Sequence, residues 1–403
     1  MKKIRVLICD DSALMRRSLT RIIEDDPALS VIGVARDGED AVGKARDLRP
    51  DVITMDINMP GLDGITALQY IMADKIAPVI MVSSLTQEGA TATFQAMALG
   101  AFDYVAKPGG TVSANLDAVS REIQSKIKAA ASSGTLNRLL RQKGSRLSGI
   151  SSGVASERSS KKRPEKPSKT ASKKESRVSS GVRSGSIAGS RDLESGSSSL
   201  KTEPRRIIGS ADLPDFKAVA MGISTGGPKT LYDVLPLLPK DLNAAVILVQ
   251  HMPPKFIASF AKRIDDNCQM HCVEVEAGME IEPGTIYIGK GGYHLTLYRK
   301  LSKKVVVRTP TKPEHAFMPS VDVMMQSVLE VFKEQTVGVL MTGMGDDGAA
   351  SMVDITRAGC TTIAESEESA IVFGMPREAI ERGGAKVVVP SWDIAQQIIK
   401  AVR

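Results

Sequence analysis

The sequence predicts an α/β protein with two doubly wound parallel-sheet domains joined by a long disordered linker. Three observations lead to this prediction. Short apolar runs alternate with stretches of helical period near both ends of the chain, which is typical of a parallel sheet covered by helices. Several of these runs end directly in polar or charged residues. The middle of the chain has neither pattern.

The first domain, assigned to residues 1–128, contains four apolar runs that are interpreted as buried strands. They cover residues 3–9, 52–55, 78–82 and 103–106, with helical periods between them such as 12–24 and 90–99. The polar residues that follow these strands are Asp10-Asp11, Asp56, Ser83-Ser84 and Lys107-Pro108. The carboxyl ends of parallel strands share one edge. Carboxylates gathered there repel one another unless a hard cation such as Mg²⁺ lies among them.

In this order and placement, these residues resemble a response-regulator receiver. The resemblance implies that Asp56 accepts a phosphoryl group as an aspartyl phosphate, with Asp10 and Asp11 joining it to hold Mg²⁺. Lys107 would pair with a phosphoryl oxygen, and Ser83 would supply the hydroxyl that follows the phosphoryl group. Each feature alone has a plainer interpretation, such as a helix cap or a surface turn. All four at strand ends in receiver order favour the receiver.

The middle segment, residues 129–206, has an unusual composition. It holds 18 lysines and arginines against 6 acidic residues, 21 serines among 78 residues, and no aromatic residue. Such a segment buries too little apolar surface to offset its ordering entropy, so we expect disorder. Its charge of +12 exceeds the +7 of the whole chain, so the folded parts together are net acidic.

The second domain, assigned to residues 207–403, has three apolar runs that end in residues typical of hydrolases. Residues 218–220 lead into a glycine-rich turn with Ser224, residues 246–249 lead into His251, and residues 337–341 lead into a turn that contains Asp346 and Asp347. Such strand ends bring a serine, a histidine and an aspartate together. Gly-x-Ser-x-Gly alone is more often an ordinary turn. The order Ser, His, Asp also differs from that of the α/β-hydrolases.

Five segments in this domain resemble the catalytic domain of the chemotaxis protein-glutamate methylesterases, over about residues 216–400. They are M-G-I-S-T-G-G-P, Q-H-M-P-P-K-F, M-P-S-V-D-V, T-G-M-G-D-D-G-A and F-G-M-P-R-E-A-I. The resemblance implies a nucleophile at Ser224, a general base at His251 and an orienting aspartate at Asp347. It also implies that the N–H of Met344 lies in the oxyanion hole. Asp346 is then interpreted as a solvated turn residue.

The histidines and cysteines allow plainer interpretations. A lone histidine is more often structural than catalytic, but among the four histidines His251 is the one that ends a strongly apolar run. His294 and His315 remain candidates for lining a substrate groove. Cys268-x-x-His271-Cys272 lacks a second ligand pair at zinc spacing, so scattered free thiols are the better interpretation of the four cysteines.

The methylesterase resemblance implies a function, its partners and its regulation. The family removes methyl esters from glutamate side chains of chemoreceptors and deamidates specific glutamines, with a chemotaxis histidine kinase as phosphate donor. The receiver would block the catalytic face until Asp56 is phosphorylated. We expect a cytoplasmic enzyme that uses Mg²⁺ in its receiver, no organic cofactor and no nucleic acid. The alternatives are a response regulator that binds nucleic acid through its basic linker, an inactive interaction module, and a small-molecule esterase.

The resemblance implies a tether between the two domains that is much shorter than this linker. The charge of the linker suggests an electrostatic contact with acidic receptor helices or with the anionic inner leaflet of the membrane. A solvated spacer without a partner is an equally good interpretation.

Overall fold

The structure is a computed structural model, which describes residues 2–84, 86–107, 116–132 and 213–403. All of these residues belong to one compact unit. From residue 133 onward, the segment predicted to be a disordered linker lies outside the described residues. Its disorder and the two boundaries that separate it from the domains therefore stay predictions. Among the described residues, no helix is long and apolar enough to cross a membrane.

The predicted fold class is confirmed by two parallel sheets. The first has five strands in the order β2-β1-β3-β4-β5, all paired in parallel. β1, β3 and β4 are almost completely buried because helices cover both faces. The strands are β1 (Ile4–Cys9), β2 (Leu29–Ala35), β3 (Val52–Asp56), β4 (Val79–Ser83) and β5 (Asp103–Ala106).

Short polar side chains cap the amino-terminal ends of four helices in the first domain. Ser12, Asp37, Asp63 and Thr86 each accept a hydrogen bond from a backbone N–H in the first turn of the following helix, which satisfies a donor that the helix itself leaves unpaired. These helices alternate with the strands, as the sequence predicts. They are α1 (Ala13–Glu24), α2 (Gly38–Leu48), α3 (Gly64–Ala73), α4 (Gln87–Leu99) and α5 (Leu116–Ala131).

The second sheet has seven parallel strands in the order β14-β13-β12-β6-β7-β9-β8. β6 pairs with β7 on one side and with β12 on the other. The order in which successive strands are added to the sheet therefore reverses beside β6. Ligands bind at such switch points in open α/β sheets. The strands are β6 (Lys217–Ile223), β7 (Ala244–Gln250), β8 (His271–Glu274), β9 (Thr285–Ile288), β12 (Thr336–Leu340), β13 (Thr361–Glu365) and β14 (Val387–Val389).

Among the described residues, an antiparallel hairpin and six α-helices complete the second domain. The hairpin joins β10 (Thr296–Arg299) to β11 (Val305–Arg308), and a loop of residues 309–320 leads from it to the next helix. The helices are α6 (Gly227–Val234), α7 (Pro254–Asp265), α8 (Val321–Phe332), α9 (Ala349–Arg357), α10 (Met375–Glu381) and α11 (Ser391–Val402).

Candidate functional site

Ser224 directly follows β6, on a turn that glycines make possible. Gly226 has a φ of 78°, a left-handed conformation that glycine adopts without steric cost. Two backbone hydrogen bonds hold the turn: Gly227 N–H donates to Ser224 O at 2.8 Å, and Ser224 N–H donates to Thr342 O at 2.9 Å. The serine hydroxyl is therefore held at the carboxyl end of the sheet, next to the segment that follows β12.

His251 directly follows β7 and lies between Ser224 and Asp347. Its Nδ1 lies 3.1 Å from Ser224 Oγ, and its Nε2 lies 2.9 Å from Asp347 Oδ2. Because a carboxylate can only accept, Nε2 carries the proton of the neutral ring and the lone pair of Nδ1 faces the serine. The ring also stacks on Phe317, with centroids 4.2 Å apart and planes inclined by 9°.

Asp347 is buried at the amino-terminal end of α8, where it accepts several hydrogen bonds. Val321 N–H donates to Oδ2 at 2.8 Å, Asp322 N–H donates to Oδ1 at 3.0 Å, and Ser320 Oγ–H donates to Oδ1 at 2.8 Å. Burial raises the pKa of Asp347, but the bonds from His251 and these N–H groups outweigh it and lower the pKa to about 2. Asp347 is therefore ionised at neutral pH. Neighbouring Asp346 instead pairs with Arg382 at the surface, at 2.8 Å.

Two backbone N–H groups beside Ser224 are available for an oxyanion. Among the hydrogen bonds of the described residues, neither Met344 N–H nor Thr225 N–H has an acceptor. Met344 is the sequence-based candidate. Thr225, the residue after Ser224, was not among the candidates, although the N–H after the nucleophile commonly serves as an oxyanion donor in serine hydrolases.

Two polar side chains that were not among the sequence-based candidates also support this site. Gln250 Nε2 donates to Ser224 O at 3.0 Å, which stabilises the turn of Ser224. Glu365, at the end of β13, is fully buried and accepts hydrogen bonds from Thr342 N–H and Ser369 Oγ–H, both at 2.8 Å. Burial raises its pKa to about 7. The strand-end rule applied to β7 and β13 would have drawn attention to both residues.

The first domain gathers its acidic residues at the carboxyl ends of β1 and β3. Oxygens of Asp10, Asp11 and Asp56 lie within 4.8 Å of one another. Lys107 Nζ lies 2.7 Å from Asp56 Oδ2 and 3.4 Å from Asp10 Oδ2. Burial alone lowers the pKa of Lys107, but these carboxylates outweigh it and raise the pKa. Ser83 is buried at the end of β4, where its hydroxyl lies 3.3 Å from the carbonyl of Gly89.

This acidic group has the composition of a magnesium site. Asp10 Oδ2 is buried and forms no well-aligned hydrogen bond in the described part of the chain, although Lys107 Nζ lies 3.4 Å away. Burial raises the pKa of Asp10 more than the N–H of Ser12 lowers it. A bound cation would satisfy that oxygen. Carboxylate oxygens are the ligands that Mg²⁺ prefers, so the residues present fit this ion.

Each of the two domains matches a known protein family. Residues 219–398 match the family model described as CheB methylesterase, and residues 6–114 match the response regulator receiver domain. A protein-glutamate methylesterase/protein-glutamine glutaminase of Syntrophomonas wolfei is 51% identical over 99% of this chain and 99% of its own length. The chain belongs to this family. A relative from Carboxydothermus hydrogenoformans with the same description is 46% identical over the full length of both chains.

A crystal structure of the CheB methylesterase catalytic domain of Thermotoga maritima is 38% identical, covering 46% of this chain and 99% of that chain, with a TM-score of 0.45.

In this family member the receiver packs against the helix that follows His251. The ring of Tyr104 stacks on Phe256 of α7 at 5.1 Å, and Phe94 of α4 contacts Phe256 at 6.0 Å and Phe260 at 5.4 Å. A second contact involves Ile371, which is buried within the hydrophobic cluster of the receiver. A Cβ at Gly226 would lie 2.7 Å from the Cβ of Ile371, so Ile371 also packs against the turn of Ser224.

The remaining histidines and cysteines have ordinary surroundings. His294 is fully buried, so it does not line a surface groove, whereas His315 is exposed. All four cysteines are free. Among the described residues, Asp10, Asp11 and Asp56 form the group with metal-ligand spacing, and His271 instead pairs with Asp265 at 2.7 Å.

Proposed function

We propose that this chain is a phosphorylation-activated serine hydrolase that removes methyl esters from glutamate side chains of chemoreceptors and deamidates specific glutamines. The relatives bear the names of both activities. The observation that carries the proposal is the continuous contact from Ser224 through His251 to Asp347, at 3.1 and 2.9 Å. This constellation serves acyl transfer on many unrelated folds.

Acylation begins when Ser224 Oγ attacks the ester carbonyl. His251 takes the hydroxyl proton on Nδ1 and becomes an imidazolium, which the ionised Asp347 stabilises through Nε2. The N–H groups of Met344 and Thr225 are the proposed donors to the oxyanion. His251 then gives its proton to the departing methoxide, so methanol leaves and a glutamyl ester of Ser224 remains.

The second half of the reaction uses the same residues. Water attacks the acyl-enzyme while His251 takes a proton from it, and the serine leaves with that proton. The products are a glutamate side chain and the free enzyme. Glutamine follows the same route with ammonia in place of methanol as the leaving group, which is why one site serves both reactions.

Phosphorylation is proposed at Asp56. Asp10, Asp11 and Asp56 are the proposed ligands of Mg²⁺, which would neutralise charge on the phosphoryl oxygens. Lys107, now 2.7 Å from Asp56, would pair with a phosphoryl oxygen, and the hydroxyl of Ser83 would turn toward that group. A chemotaxis histidine kinase is the proposed donor.

Two receiver contacts support regulation by the receiver. Phe94 and Tyr104 pack on α7, which begins three residues after His251, and Ile371 joins the receiver core to the turn of Ser224. Breaking these contacts on phosphorylation would release both elements and open the catalytic face. Phosphorylation would then shift an equilibrium between two arrangements of the domains.

The proposed partners follow from the substrate. Chemoreceptors carry their methylated helices on the cytoplasmic side of the membrane, so we propose that the enzyme works in the cytoplasm. The basic segment 129–206 is proposed to contribute an electrostatic contact with acidic receptor helices or with the anionic membrane surface.

Methanol release from methylated chemoreceptors tests the proposed function. The full chain is assayed with acetyl phosphate and Mg²⁺, beside p-nitrophenyl acetate as a generic ester. Release of methanol from the receptors that Ser224→Ala abolishes supports the proposal. Activity on the generic ester alone points instead to a small-molecule esterase, and activity on neither substrate points to an inactive interaction module.

A further inference from the structure

One loop contacts both His251 and Asp347. The loop of residues 309–320 carries Phe317 and ends at Ser320, the residue that caps α8. Phe317 stacks on the imidazole of His251, and Ser320 donates to the carboxylate of Asp347. The motif M-P-S-V-D-V covers the end of this loop and the start of α8, and the proposed reaction gives it no chemical role.

Ser320 links Asp347 to the start of α8. Its Oγ–H donates to Asp347 Oδ1 at 2.8 Å, while the same oxygen accepts from Val323 N–H at 3.3 Å. Together with the N–H groups of Val321 and Asp322, this bond determines how the carboxylate is rotated. Oδ2 then faces His251 Nε2. Ser320 is fully buried, so bulk solvent does not reach this hydrogen bond.

Phe317 covers one face of the base. Its ring is nearly parallel to the imidazole at 4.2 Å, yet 41% of its own surface is exposed. The side chain of His315 steadies this loop, since its Nδ1 accepts from Phe317 N–H at 3.1 Å. An aromatic face interacts favourably with a cation above it, so Phe317 both limits rotation of His251 and favours the imidazolium that forms during the reaction.

His294 fastens the loop at three points. Its backbone N–H donates to Pro310 O at 2.8 Å, its Nε2 lies 2.8 Å from Pro313 O, and its Nδ1 accepts from Ser320 N–H at 3.2 Å. The ring therefore acts as a donor on one side and an acceptor on the other, which requires the neutral tautomer with the proton on Nε2. A nearby backbone bond, from Gly292 N–H to Met318 O at 2.9 Å, holds the same loop.

We propose that Ser320, Phe317 and His294 are positioning residues of the hydrolase reaction. Ser320 orients Asp347, Phe317 holds the imidazole of His251, and His294 keeps the loop in the arrangement that allows both contacts. The proposal rests on the proposed function, because it assigns these residues to the reaction of Ser224. A small misplacement of reacting groups costs a large factor in rate, so these residues affect kcat without touching substrate.

Ser320→Ala is the central test, and Ser12→Ala is its matched control. Both serines cap a helix by accepting a backbone N–H at 3.3 Å, but Ser320 additionally contacts Asp347. Full-length variants are assayed with p-nitrophenyl acetate, and inactivation of Ser224 by phenylmethylsulfonyl fluoride is timed in parallel. We expect Ser320→Ala to lower kcat and the inactivation rate by about tenfold to 100-fold with KM nearly unchanged. Ser12→Ala should leave both rates as in the unmodified chain.

Conservative variants separate positioning from folding. Ser320→Thr keeps the hydroxyl and should recover much of the rate, and His294→Asn keeps an acceptor near Nδ1 and should exceed His294→Ala in kcat. Phe317→Tyr should retain more activity than Phe317→Leu. Thermal unfolding is measured for every variant, so that rates refer to folded protein.

Two results overturn the proposal. One is a kcat for folded Ser320→Ala equal to that of the unmodified chain. The other is a loss in Ser320→Ala that Ser12→Ala reproduces, since capping alone would then explain it. Neither result affects the proposed function, which fails separately if Ser224→Ala stays active.

Discussion

Gly343 lies so close to Ser224 that a side chain at 343 has no room. A Cβ at this position would be 2.9 Å from Ser224 Cβ and 2.2 Å from Met375 Sδ. The segment after β12 can therefore approach Ser224 this closely only with glycine at 343, and Met344 is the next residue of that segment.

The first prediction follows from that contact. Gly343→Ala should push the segment of Met344 away from Ser224 and lower kcat by about 10²-fold or more, because it withdraws an oxyanion donor. The measurement is ester hydrolysis by purified full-length protein. Gly43→Ala is the control, since a Cβ at 43 meets nothing within 4 Å. An unchanged kcat for Gly343→Ala would show that the N–H of Met344 is not an oxyanion donor.

The second prediction separates the two adjacent aspartates. Asp347→Asn should lower kcat by roughly 10⁴-fold, because an amide in place of the carboxylate favours the wrong imidazole tautomer. Asp346→Asn should keep most of the activity, since it loses only a surface pair with Arg382. Methanol release is measured for both variants. The opposite ranking would move the orienting role to Asp346.

The third prediction concerns the receiver. Asp56→Asn should abolish stimulation by acetyl phosphate. Phe94→Ala should instead raise activity without phosphate, by roughly tenfold, because it weakens the packing of α4 on Phe256 and Phe260. Tyr70→Ala, at a half-exposed tyrosine of the same domain, is the control. Equal basal activity of Phe94→Ala and the unmodified chain would contradict inhibition through this contact.

The fourth prediction is a pH dependence of stability that comes from Glu365. Burial raises its folded pKa to about 7, against 4.5 for an ordinary glutamate, so the folded state binds the proton more tightly than the unfolded state. The resulting stabilisation is complete below about pH 4.5 and is lost as the pH rises to 7. The loss amounts to about 3 kcal/mol.

Glu365→Gln should remove this part of the pH dependence. Because the amide keeps an acceptor for Thr342 N–H and carries no charge, the variant should unfold at higher denaturant concentration than the unmodified chain at pH 8. Denaturant unfolding between pH 5 and 8 gives the comparison, and Glu368→Gln, at an exposed neighbour, is the control. Parallel pH profiles of Glu365→Gln and the unmodified chain would show that Glu365 is not the titrating group.

The fifth prediction concerns the basic segment 129–206. Replacing its lysines and arginines with glutamine should raise the KM for receptors in anionic membranes at low salt, with little change in kcat or in activity on a soluble ester. Each basic residue near such a surface contributes about 1 kcal/mol, and salt screens the attraction. An unchanged KM at low salt would show that the segment is only a spacer without an electrostatic partner.

Family motifs and strand ends, read from the sequence, were enough to name Ser224, His251 and Asp347 as candidates. From the residues alone, either Asp346 or Asp347 could be the aspartate that contacts His251. In the structure only Asp347 reaches the imidazole, because it points to the N–H groups at the start of α8 while Asp346 faces Arg382. That choice depends on an element 26 residues away along the chain, which no local pattern encodes.

By itself the sequence determined the fold class, the strand ends and the residue types of both candidate sites, because the periodicity of apolar residues and the turn residues are local properties. The tertiary structure decided which ring nitrogen of His251 faces Ser224, and that Phe317, Ser320 and His294 surround the His251–Asp347 pair. It also decided that Glu365 is fully buried, with Thr342 N–H and Ser369 Oγ–H as donors to its carboxylate. These features arise from contacts between distant segments, whose distances and burial exist only once the sheets and helices have packed.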